Sequence, residues 1–148
     1  MITFLIVTAL VIAFVVGSAL AMRPSPRLRR LAELRQHAVV EGLRVQLRPG
    51  ERDVDYSLGW RVIDAGRAPG IRLAATRGEG GLWQLEPGGV AGDEDLVAAM
   101  GLLPSEVCRI AAGSQGVVAC WNENGTVLEV QQIAVAMRAI REALARRA

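Results

Sequence analysis

Lysine is absent from this 148-residue chain: all seventeen basic residues are arginine. Without an ammonium group there is no Walker-type phosphate lysine and no Schiff-base catalysis. Histidine occurs once, at His37. That removes zinc sites built on two or three imidazoles and leaves one base for any Ser–His or Cys–His pair. Charge of either sign is nearly balanced, and a net +2 is too small to imply a nucleic-acid partner. Past its first 22 residues the chain also lacks any long hydrophobic run, although 51% of the whole is hydrophobic.

Those first residues hold the excess. From Ile2 to Met22 no residue is charged, and twenty-one residues rising 1.5 Å each span about 32 Å, close to the ~30 Å hydrocarbon core of a bilayer. The segment 1–22 therefore reads as a single transmembrane anchor. The rival reading is a cleaved secretory signal ending at Ala19-Leu20-Ala21. Against it stand the missing basic N-terminal region, the length of the apolar run and the arginines that follow at once. Arg23, Arg27, Arg29 and Arg30 place the positive excess after the helix, which predicts the N-terminus outside and the domain cytoplasmic at the inner (plasma) membrane. Inside the helix Ala9, Ala13, Gly17 and Ala21 recur every fourth residue, a small-residue stripe suited to helix–helix contact.

Residues 23–42 read as a basic juxtamembrane helix. Pro24 and Pro26 separate it from the anchor, Ser25 is its N-cap, and Gly42 occupies the position just past its end. Residues 23–52 carry a net +5 and residues 79–129 a net −7, a split that would orient the arginine end on an anionic leaflet, the plainer alternative being that these charges are solvated faces. The expected partners are anionic lipid head groups and either another membrane protein or a second copy of the chain; no nucleic acid is expected. Glu33, His37 and Glu41 share one helix face at metal-ligand spacing, but an exposed ion-pair stripe accounts for them, and no metal site is expected.

Residues 43–148 read as a small α+β domain, an antiparallel sheet packed with a long C-terminal helix. Strands are expected at Leu43–Leu47, Leu58–Ile63, Ile71–Thr76, Leu82–Leu85, Val107–Ala112 and Val117–Trp121, with a polar loop at Glu51–Asp55. Asp93 is expected to cap a short helix reaching Met100. Thr126-Val-Leu-Glu129 is a capping box, and Val130, Ile133, Met137, Ile140 and Leu144 continue it as an apolar stripe made for a sheet face. Tyr56, Trp60, Trp83 and Trp121 are read as core anchors.

Cys108 and Cys120 fall on the two strands of the last hairpin. A three-residue loop sets them opposite each other and a two-residue loop puts them on different faces. In the cytoplasm both are reduced thiols packed as small hydrophobes.

In layout the first forty residues resemble the small accessory subunit of the bacterial preprotein translocase, through an uncharged N-terminal helix, Met22-Arg23-Pro24 and a basic helix. The resemblance covers about a quarter of the chain and implies an accessory role in a membrane complex. It carries over no site residue. No catalytic residue and no cofactor is expected. The expected function is a membrane-anchored, non-catalytic interaction or scaffold module. The alternative is a small membrane-tethered enzyme working through Asp, Glu, Ser or Arg.

Overall fold

The computed structural model describes residues 1–21, 25–48, 52–61, 72–87 and 94–147; in the first helix, side chains are described up to residue 18. Two compact units emerge, Met1–Ala32 and Glu33–Ala148.

The first unit begins with α1 (Ile2–Ala21), whose apolar side chains are exposed on every side. Phe4, Leu5, Ile6 and Val7 stand about 100° apart around the axis, and each leaves at least half its surface open. Among the described residues no helix is long and apolar enough to cross a membrane. The span expected over residues 2–22 is therefore not met by the described residues. Helix α2 (Pro26–Val40) then starts as its sequence dictates, with Ser25 Oγ accepting from the Leu28 amide at 3.3 Å. It ends in a Schellman arrangement. Gly42 takes φ +81°, and the Leu43 and Gly42 amides donate to the Ala38 and Val39 carbonyls at 2.9 and 3.0 Å.

The second unit is α+β. Strands β1 (Arg44–Leu47), β2 (Val54–Leu58), β3 (Leu73–Arg77), β4 (Trp83–Leu85), β5 (Val107–Gly113) and β6 (Gly116–Trp121) form one six-stranded antiparallel sheet in the order β1-β2-β6-β5-β3-β4. Helix α3 (Glu94–Gly101) precedes β5, and α4 (Val127–Ala145) follows β6. Alternation along the strands sends Tyr56, Leu73, Ala75, Ile110, Val117, Ala119 and Trp121 to one face. The α4 stripe lies buried with them: Val130, Ile133, Met137, Ile140 and Leu144 are fully covered. Burying each of these larger side chains is worth about 1.5–3 kcal/mol, which makes α4 the main organiser of the core. Tyr56 and Trp121 meet edge to face at 5.4 Å inside that core. Trp60 and Trp83 pack at its rim and donate to the Gly113 and Met100 carbonyls.

The expected second strand needs correction. It runs over Val54–Leu58, within and past the stretch read as a loop, and stops where a strand over 58–63 was expected to begin. Val54, Tyr56 and Leu58 point to the core, while Asp55 and Ser57 point away, so alternation won over the low strand preference of aspartate. Arg48 meets that cost by donating to the Asp55 carboxylate at 2.7 Å. Residues 62–71, and with them Ile63 and Ile71, lie outside the described residues, as do Asp93 and its expected cap.

Candidate functional site

Of the residues marked for the membrane surface, Arg27, Arg29 and Arg30 are exposed on the first turns of α2, and Arg23 lies outside the described residues. On α1, Ala9, Ala13 and Gly17 follow one face; a Cβ added at Gly17 would meet nothing within 4 Å. The side chain of Ala21 lies outside the described set. The stripe Glu33, His37, Glu41 does not converge on a common point. Instead the Glu41 carboxylate accepts from Arg138 at 2.7 Å, and the same guanidinium reaches the Glu41 carbonyl, tying the end of α2 to α4.

A second tie was not legible in the sequence. Glu123, just past β6, is 5% exposed and accepts twice from Arg35 on α2, at 2.9 and 2.6 Å. The Tyr56 hydroxyl donates to the same carboxylate at 3.1 Å. Burial, reinforced by the adjacent Glu123 charge, pushes the Tyr56 phenol well above its ordinary value. The hydrogen bond to Glu123 likewise raises Arg35. Neither group is poised to exchange protons near neutrality, so the cluster is a structural lock.

The sheet face turned away from α4 carries a different chemistry. Across β2, β6, β5 and β3 one row reads Asp55, Cys120, Arg109, Thr76, and the neighbouring row reads Ser57, Val118, Ala111, Ala74. Small side chains in the second row leave a shallow depression of about 150 Å³ bordered by Gln46, Arg48, Asp55, Arg109 and Cys120.

Cys108 reaches this face by an irregularity. The β5–β6 turn has two residues, Ser114 and Gln115, the case in which Cys108 and Cys120 were expected on opposite faces. The register slips between Val107 and Arg109, however, leaving Cys108 as an unpaired bulge residue turned outward beside Arg109. Its thiol donates to the Cys120 carbonyl at 3.3 Å and lies 3.8 Å from Asp53 Oδ2. The Cys108 and Cys120 sulfurs and an Asp53 oxygen all fall within 4.8 Å of one another. Burial pushes both thiols up, Cys120 to about 12, with Cys108 and Asp55 adding to the effect there. Thiols held protonated are poor nucleophiles, which argues against cysteine catalysis.

Elsewhere a cavity of about 490 Å³ lies between β4 and α3, lined mainly by Leu82, Trp83, Leu85, Val97 and Met100. Its cation, Arg77, stacks on Trp83 at 4.6 Å and donates to the Pro104 and Leu103 carbonyls, so that charge is committed to structure. Comparison with protein families, with characterised proteins and with solved structures finds no match to this chain.

Proposed function

We propose that the chain is a membrane-tethered, non-catalytic interaction module, with α1 set in a lipid bilayer and residues 33–148 presented at its cytoplasmic surface. The observation that carries this reading is α1 itself. It comprises twenty residues without a charge, about 30 Å long by helix rise, and its side chains from Ile2 to Gly17 are exposed around the whole axis. In water such a helix has no face to present. In hydrocarbon it has none to hide, and two of its three hydroxyls are satisfied within the helix: Thr8 and Ser18 donate to the Phe4 and Phe14 carbonyls at 2.8 Å. The described residues alone fall short of a full span, so the proposal leans on the uncharged sequence continuing to Met22.

Direction follows from the arginines: Arg27, Arg29 and Arg30 sit exposed just after the helix, where anionic head groups lie. The partner is a second membrane protein, or a second copy paired through the Ala9, Ala13, Gly17, Ala21 face. The Met22-Arg23-Pro24 resemblance favours a complex of the preprotein-translocase kind. A non-catalytic role is supported by the core-facing side of the sheet, filled by α4, by the mainly apolar lining of the 490 Å³ cavity and by the raised thiols.

The test uses Ser105→Cys, an exposed position, in a Cys108→Ser/Cys120→Ser background. An impermeant thiol reagent applied to intact cells should leave the chain unlabelled until the cells are lysed. Labelling before lysis would reverse the orientation.

A further inference from the structure

A bulge sacrifices ladder pairing and turns one side chain to the other face. Here it brings Cys108 from the covered face of the sheet to the open one, beside Cys120 and Asp53. We propose that Cys108, Cys120 and Asp53, with Asp55 completing the set, bind one thiophilic divalent cation of the zinc–cadmium class.

Distance comes first. Tetrahedral zinc with sulfur at ~2.3 Å and oxygen at ~2.1 Å holds its ligands about 3.4–3.8 Å apart. The three donor atoms already lie within 4.8 Å of one another, so rotamer shifts of about 1 Å close the site. The fourth donor supplies the independent sign. Asp55 is 6% exposed and stands directly opposite Cys120 on the same face. Its Oδ2 accepts from Arg48, whereas Oδ1 is buried with no conventional hydrogen bond, and the carboxylate lies close enough to act on the Cys120 thiol. A buried carboxylate oxygen without a partner is costly, and a cation beside Cys120 would satisfy it.

Charge agrees with a divalent ion. Two thiolates and two carboxylates face Arg48 and Arg109, which leaves a net charge of −2. The donor set selects the metal class: two sulfurs favour zinc or cadmium over magnesium or calcium, which prefer all-oxygen shells. Exposed Cys108 gives the ion its way in. Binding replaces two S–H bonds by two metal–sulfur bonds and releases two protons, with no change of oxidation state. The inference is independent of the membrane reading and needs only reduced thiols.

The test titrates cadmium ion into the full-length chain, reduced with a phosphine and held in detergent micelles. Expected are a thiolate-to-cadmium absorption band saturating at one ion per chain and two protons released. Cys108→Ser and Cys120→Ser should abolish the band. Asp53→Asn should weaken binding about 10–100-fold, and Arg109→Gln should bind at least as tightly as the parent. Because Cys120 is buried and its variant is at risk of misfolding, exposed Cys108→Ser with an unchanged far-ultraviolet circular dichroism spectrum carries the decision. Absence of the band in the parent chain, or equal binding by Cys108→Ser, overturns the proposal. So does a Cys108–Cys120 disulfide in protein isolated from its native compartment with free thiols blocked at lysis.

Discussion

Glu123 holds a positive φ of 54°, a backbone region that costs a residue bearing a Cβ about 1–2 kcal/mol. It is held there by Arg35 and Tyr56, which hydrogen-bond both of its carboxylate oxygens. Removing the cation leaves a buried carboxylate uncompensated. Arg35→Ala should therefore lower unfolding free energy by about 3 kcal/mol, the low end for a broken buried pair because Arg35 is one-third exposed. A loss below about 1 kcal/mol in urea melts would demote the lock to a surface contact. Tyr56 adds a pH signature. Its folded pKa lies above its unfolded value of about 10, so its contribution is complete below pH 10 and fades as pH rises beyond it. The denaturation midpoint should fall above about pH 10, and Tyr56→Phe should shed part of that slope. Equal slopes in the two proteins would refute the linkage. None of this was legible beforehand: Arg35 and Glu123 lie 88 residues apart, and nothing local marks them as partners.

Among the elements, α4 was read correctly because two local signals agreed: a capping box and a periodic apolar stripe. Its start is held as expected, with the Glu129 carboxylate accepting from the Thr126 amide at 2.6 Å and from the hydroxyl at 3.1 Å. Glu129→Ala should cost about 1 kcal/mol, measured by thermal or urea unfolding. Strand β2 was misplaced because two aspartates, Asp53 and Asp55, outweighed an alternation only five residues long. The bulge at Cys108 was invisible for a different reason: it depends on cross-strand register, which no short-range pattern encodes. Gly116 belongs with it. There φ is +133°, and an added Cβ would overlap the Leu58 carbonyl oxygen and sit 2.8 Å from Gly59 Cα. Gly116→Ala should cost at least about 2 kcal/mol, through combined strain and overlap where β6 meets the end of β2. A neutral substitution would mean that the β2–β6 pairing begins elsewhere.

For the whole molecule, the α+β class and the antiparallel sheet with its C-terminal helix followed from periodicity, but the strand order β1-β2-β6-β5-β3-β4 did not. Two strands from the far end of the chain, β6 and β5, insert between β2 and β3, which is a matter of global packing. The candidate site was missed for the same reason, since Asp53, Cys108 and Cys120 converge only when β6 is inserted beside β2. At this scale the proposed function rests on an uncharged helix whose described side chains are exposed around its axis. If the small-residue face pairs two copies, Gly17→Ile should abolish detergent-resistant dimers without releasing the chain from membranes. Loss of dimers together with membrane association would point instead to a packing role for Gly17.

Extraction of isolated membranes tests the tether most directly. The account predicts that the full chain stays in the pellet through a high-salt wash and an alkaline carbonate wash, as an apolar helix inside the bilayer requires. Release of the chain by high salt alone would mean that only its arginines hold the surface, and the tether would be contradicted.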